Sequence, residues 1–277
     1  MDSNHLKFNS QKTQLIVKTK GVNNMHGYLN LEMGGKVIEQ EETVKVLGVV
    51  LGQDEKYKEY LVNGKNSMMK FLTTRHNMLK MLAKHADLKA RKALAEGLIL
   101  SKINYCISLW GTTTDTIMQK LHVFVNDVVR TVFGIGRNRF QHLKPLYKKL
   151  KWLTVRETLL YHDTITIHSM IKHQTPQDIA AKFNPQCNHS YNTRGSKSRF
   201  RPNPETTSIN LVRDKAFVCR AARAYHNIPD LLTESIFLPY WAYKDWVRSD
   251  IGGWPIKERT EAVVDYLTYL RKTGHNY

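Results

Sequence analysis

Cations set among aromatic rings are the chemistry most visible in this sequence. The stretch RNRFQHLKPLYKKLKW, Arg137 to Trp152, carries Arg137, Arg139, Lys144, Lys148, Lys149 and Lys151, interleaved with Phe140, Tyr147 and Trp152 and without a carboxylate. Ammonium and guanidinium groups neutralise phosphates, and aromatic faces stack on unpaired bases, so the pattern suits single-stranded or structured RNA. YNTRGSKSRFRP repeats it with Arg194, Lys197, Arg199 and Arg201. A third set, Lys89, Arg91 and Lys92, opens an expected helix. Cations there oppose the helix dipole, and a phosphate docked on the free N–H groups would reverse that penalty. The alternative is that these long side chains simply extend into water. Lys80 and Lys84, one turn apart on the preceding expected helix, can follow a phosphate backbone.

The totals agree with a polyanionic partner. The chain has 277 residues, with 42 Lys and Arg against 24 Asp and Glu, a formal net charge of +18 and a pI near 9.7. Such a field attracts nucleic acid. Binding by phosphate contact is expected to be strongly salt-dependent and weakly sequence-specific. Cys106, Cys187 and Cys219 are far apart and odd in number, which fits a reducing compartment rather than a disulfide framework. No segment approaches the roughly 18 apolar residues of a membrane span, and the N-terminus lacks a basic-then-apolar signal pattern. An intracellular protein of cytoplasm or nucleus is expected.

Catalytic signatures are sparse. A G-x-x-x-x-G-K-[ST] loop, H-E-x-x-H and G-x-S-x-G are all absent, and Gly134-x-Gly136 lacks the third glycine of a dinucleotide fingerprint. No two aspartates are adjacent and no D-x-D occurs, so the simplest local signature of a two-magnesium site is missing. His168, His173, Cys187 and His189 could gather around zinc, but their spacing is irregular and no C-x-x-C is present. The expectation is no metal, with His168 on a helix surface and Cys187 a loop thiol.

The elements that position these groups are mostly helical. The first fifty residues read as strands: TQLIVKT, two runs joined by Gly34-Gly35 as a two-residue hairpin turn, and TVKVLGVVLG as a buried strand with Gly48 inside it. Helical spacing then runs from Lys56 to Lys84, and again from Leu88 to Leu109 over Leu94, Leu98, Ile99, Ile103 and Cys106. A third helix, with Thr112-x-x-Asp115 as its cap, carries Ile117, Leu121, Phe124, Val125, Val128 and Val132 on one stripe and ends at Gly134-x-Gly136. Thr154-x-x-Glu157 is a capping box opening a helix through Leu159, Leu160, Ile165, Met170 and Ile171. Residues 174–210 lose periodicity and read as a long loop. Helix returns near Arg213–His226, Leu238–Arg248 and Lys257–Arg271. The expected class is α+β, mainly α: a small N-terminal antiparallel sheet, a three-helix bundle, and a helical C-terminal region with a long basic loop. The expected divisions are 1–53, 54–136, the basic connector 137–152, and 153–277.

Seven blocks carry a resemblance: LKFNSQKTQLIV, VKVLGVVL, ALAEGLILSKINYCISLWG, LHVFVNDVVRTVFG, WLTVRETLLYHDTITIHSMI, YNTRG and ARAYHNIPD, in that order. Together they resemble the C-terminal part of a jockey-like non-LTR retrotransposon reverse transcriptase, over nearly the whole chain. The resemblance implies that residues 1–53 are a palm edge, that 54–136 are the thumb holding a template–primer duplex, and that the rest is the family's C-terminal extension. Asn9-x-x-Lys12-Thr13 resembles the motif whose lysine lies near the triphosphate and assists the leaving pyrophosphate. Leu47, Gly48 and Val49 resemble the primer grip. The palm aspartates, fingers and endonuclease have no counterpart here, so magnesium is expected only for the intact parent enzyme. The expectation is a truncated reverse-transcriptase-derived protein that binds RNA or RNA–DNA duplex without polymerising alone. Three alternatives stand beside it: a fragment of an active RNA-directed DNA polymerase, a helical host interaction scaffold, or a decayed element. An incomplete palm sheet could leave an open apolar edge and promote self-association.

Overall fold

A computed structural model describes residues 9, 12–17, 31–33, 35–52, 56–137, 142–173, 175–177, 217, 220–221, 240–257, 260–261 and 265. Among the described residues the fold is mainly helical with two small antiparallel sheets. The chain divides into two compact units, Met1–Thr73 and Thr74–Tyr277.

In the first unit, β1 (Leu31–Met33) pairs with β2 (Lys36–Ile38), with Met33 opposite Lys36. That register leaves a two-residue turn at 34–35, as the glycine pair predicts, and Gly35 has φ 73°. The TQLIVKT strand is reduced among the described residues to a single parallel bridge, Leu15 to Gln40. TVKVLGVVLG departs from expectation more sharply. It is a hairpin, β3 (Thr43–Val46) against β4 (Val49–Gly52), and the sheets are separate. Leu47 (φ 48°) and Gly48 (φ 83°) form its tip, since two consecutive left-handed residues make the turn that matches strand twist. Alternation then buries Val44 and Val49 and leaves Leu47 84% exposed. β4 packs against the π-helical turn Glu59–Asn63, whose Tyr60 and Leu61 are buried. The helix expected from Lys56 is interrupted at Gly64, where ψ is 151° and a Cβ would meet the Glu59 carbonyl. α1 (Met68–Leu82) begins only after that break.

The second unit is built on α5. α2 (Leu88–Ala95) runs through a π turn, Glu96–Leu100, into α3 (Ser101–Asn104). The single helix expected to Leu109 breaks at Tyr105 (ψ 118°) and Cys106, which is left-handed. α4 (Ile107–Trp110) follows, with Trp110 fully buried and its Nε1 donating to the Tyr105 carbonyl at 2.9 Å. α5 (Asp115–Phe133) buries Ile117, Leu121, Val125, Val128 and Val132 as its stripe requires; Phe124 is half-buried. Its N-cap is Thr114, not Thr112, whose hydroxyl instead donates to the Leu109 carbonyl at 3.3 Å. Gly134 (φ 68°) ends α5, with the Ile135 N–H returning to the Arg130 carbonyl.

α6 (Lys144–Leu150) and α7 (Val155–His173) follow, then α8 (Tyr240–Gly252). The capping box is present: the Thr154 N–H donates to Glu157 Oε2 at 2.8 Å, and the Glu157 N–H to Thr154 Oγ1 at 3.4 Å. α7 packs against α4 and α5 and also against α8. Buried on several sides, it encloses polar residues, Asp163, Thr164 and His168 among them. Residues 217, 220, 221, 260, 261 and 265 are helical, and the expected loop 174–210 lies almost wholly outside the described residues.

His168 is therefore a core residue, not a surface one. It is 3% exposed and stacked on Tyr243 with ring centroids 3.6 Å apart. Burial, with Lys172 and His173 nearby, pulls its pKa down to about 4. The unfolded chain takes up this proton near pH 6.5 and the folded protein only near 4, so stability falls as pH drops through that window. His168 alone is worth on the order of 3 kcal/mol there. His76, His122 and His162 are shifted the same way, each chiefly by burial. Urea unfolding at pH 7 and pH 4 should show a loss at least this large, since the other three histidines add to it. His168→Phe, which keeps a ring on Tyr243, should reduce the loss; an unchanged pH profile would contradict the assignment.

Candidate nucleic-acid interface

The apolar stripe of α5 anchors that helix in the core, so the polar residues on its flank have fixed positions. Asp127 accepts from Arg130 Nη1 at 2.9 Å, one turn along, and from Arg137 Nε at 3.0 Å, with Arg137 Nη2 on its second oxygen. Burial alone would raise the Asp127 carboxyl, but hydrogen bonds and charge from Arg137 and Arg130 outweigh it and hold the pKa low. One carboxylate faces two guanidiniums, so the group stays net positive. Arg137 is 76% exposed and remains open to a further anion.

His76 of α1 joins the same group. Its Nε2 lies 2.8 Å from Thr131 Oγ1, which donates to the Asp127 carbonyl at 3.0 Å. The Thr131 proton is thus committed, which makes His76 Nε2 the donor. His76 is held neutral by burial and next by the charge of Lys80, with Arg137 adding to the effect. Lys80, Arg130 and Arg137 therefore surround one region at Asp127. Arg91 arrives from α2: its Nη1 would lie 3.1 Å from a Cβ on Gly134, and its Nε donates to the Ala86 carbonyl.

The α6 cations lie on its outward side. Tyr147 and Leu150 point into the core, while Lys144, Lys148, Lys149 and Lys151 are exposed. Lys144 and Lys148 line a cleft of about 350 Å³ together with Arg130, His122 and His142. Arg130 connects the two groups, pairing with Asp127 and lining the cleft.

Other parts of the sequence expectation are rearranged. Tyr147 and Trp152 are not stacking surfaces. They are 4% and 3% exposed, with Tyr147 Oη donating to Asn126 Oδ1 at 2.9 Å and Trp152 Nε1 to Glu96 Oε1 at 2.7 Å. At the start of α2, Asp87 caps the helix by accepting from the Ala90 N–H at 2.7 Å, so that donor is already taken by a carboxylate. Lys92 lies 3.8 Å from Glu96, while Lys84 and Lys89 are exposed. Arg139, Arg194, Lys197, Arg199 and Arg201 lie outside the described residues.

In the Met1–Thr73 unit, Lys12 is exposed on a turn. Its N–H and the Thr13 hydroxyl both donate to the Asn9 carbonyl, at 3.1 and 2.9 Å. Leu47 and Gly48 occupy the β3–β4 tip and Val49 is buried behind it. Among the described residues no three His, Cys, Asp or Glu side chains gather as metal ligands; Cys187 and His189 lie outside them. No described helix is long and apolar enough to cross a membrane.

No protein family, curated protein or solved structure matches this chain.

Sequence reasoning singled out Arg137, Lys144 and Lys148 but missed His76, His122, Asp127, Arg130 and His142. A signal for Asp127 was present. Between Asp115 and Glu157 it is the sole carboxylate, against nine lysines and arginines. A lone acid in such a run on a helical stripe is a natural organiser of its neighbours.

Proposed function

We propose that this chain is a reverse-transcriptase-derived protein of a non-LTR retrotransposon whose residual activity is sequence-independent binding of RNA or a template–primer duplex. The observation that carries the binding is the cationic group at Asp127, continued through Arg130 to Lys144 and Lys148. Phosphate contacts of this kind set affinity and carry no base code. The seven ordered sequence blocks support the family. Phosphoryl transfer needs metal ions held by carboxylates, and the palm aspartates have no counterpart in this sequence, so the chain alone binds without polymerising. The likeness of Asn9-x-x-Lys12-Thr13 to a polymerase motif favours one second reading, a fragment of an active enzyme whose aspartates lie upstream.

Fluorescence anisotropy with labelled RNA strands and RNA–DNA duplexes of unrelated sequence tests the binding. Affinities should agree within about threefold at equal length and structure, since selective base readout would add about 1–3 kcal/mol per base pair. A tenfold preference for one sequence, or no binding at low salt, would overturn the proposal. Extension of a primed template by the purified chain with magnesium and deoxynucleotides would overturn its non-catalytic part.

A further inference from the structure

The cleft between α5 and α6 has more structure than a charged surface needs. Its cations come from two elements, Arg130 on α5 and Lys144 and Lys148 on α6, with His122 and His142 lining it beside them. Among the described residues Glu157 is the one carboxylate lining it, and Glu157 Oε2 already accepts from the Thr154 N–H.

The donors are also held in place. Asn126 lines the cleft and accepts from Tyr147 Oη through its carbonyl oxygen, which leaves its amide N–H groups as donors. Tyr147 keeps its proton, because burial and then Glu157 push its pKa up. Arg130 fixes one nitrogen on Asp127, while its buried Nε has no hydrogen-bond partner among the described residues. The Lys148 ammonium lies beside Gly253, just past the C-terminus of α8, where helix carbonyls hold a cation. The partial negative charge at that helix end offsets part of the positive charge, and Arg130, Lys144 and Lys148 leave the cleft cationic.

We propose that this cleft is a binding site for a phosphate monoester, taken by Arg130, Lys144, Lys148 and the Asn126 amide. A terminal phosphate of a nucleic acid strand and free inorganic phosphate share that chemistry. The site deepens the nucleic-acid reading when a strand end supplies the phosphate, yet it can be tested without it.

The test uses the full chain and isothermal titration with inorganic phosphate. Saturable binding is expected, weakened at least about tenfold in Lys144→Ala/Lys148→Ala, since a charged hydrogen bond is worth about a factor of ten or more. Both side chains are exposed, so the fold is retained. Lys65→Ala/Lys120→Ala, which removes the same charge from exposed positions elsewhere, should bind phosphate as the parent does. In the second arm, 5′-phosphorylated RNA should outcompete the same RNA bearing a 5′-hydroxyl, and the advantage should vanish in Lys144→Ala/Lys148→Ala. No saturation by phosphate, or equal loss in the two double variants, overturns the site. If RNA binds but phosphate does not, the site fails and the nucleic-acid reading stands. If phosphate binds through Lys144 and Lys148 but RNA does not, the reverse holds. Phosphate binding without a 5′-phosphate advantage assigns the site to the free ion and overturns the strand-end role.

Discussion

Asp163→Ala should cost the helical unit about 3–5 kcal/mol, read as a shift in the urea unfolding midpoint. Asp163 is fully buried on α7, and Arg220 donates to both of its carboxylate oxygens, with Nη2 at 3.2 Å from Oδ1. The same Nη2 donates to the Ser108 carbonyl of α4 at 2.8 Å. Arg220 thus joins α4 to α7 where the backbone already approaches closely: a Cβ at Gly111 would lie 2.4 Å from Leu159 Cδ1. Removing the carboxylate leaves a guanidinium with little solvent around it, and that lost compensation dominates the expected cost.

The ion pair need not be favourable in itself. Burial raises the Asp163 carboxyl although Arg220 pulls it down, so desolvation exceeds what the partner returns. An apolar pair of similar volume, Asp163→Leu with Arg220→Met, should therefore recover most of the loss. If Asp163→Ala cost less than about 1 kcal/mol, the value of an exposed pair, the α4–α7 clamp would be wrong. If the double variant were as unstable as the single, the pair would be contributing more than charge compensation.

How far the sequence predicts these features depends on how many sides of each element are buried. α5 has one buried stripe, so its period, its end at Gly134 and its core residues were all readable. α7 packs on α4, α5 and α8, and a helix buried on several sides encloses polar residues that a single-stripe pattern assigns to solvent. The burial of His168 and Asp163 was hidden for that reason, since each packs against a residue far along the chain, Tyr243 and Arg220. The cations of the 137–152 connector were visible from composition, but the fate of its rings was not. Tyr147 and Trp152 find partners in Asn126 and Glu96, and such partners follow from tertiary packing alone. The β3–β4 hairpin was hidden because Leu47 is an uncommon occupant of a left-handed turn position.

Binding through backbone phosphates makes affinity a steep function of salt, because each neutralised phosphate releases counterions. If Lys80, Arg91, Arg137, Lys144 and Lys148 each engage one phosphate, log affinity against log salt should fall with a slope of roughly −4 to −5 for a duplex. Between 50 and 200 mM salt that is a loss of several hundredfold, on the order of 3–4 kcal/mol. The Lys144→Ala/Lys148→Ala chain should show a slope shallower by about two, with all sequences weakened alike. The most direct measurement is therefore the salt dependence of duplex affinity for the parent and this variant side by side. A steep parent slope that flattens by about two in the variant is the predicted result. A parent slope near zero, or an identical slope in both chains, would contradict a nucleic-acid interface built on α5 and α6.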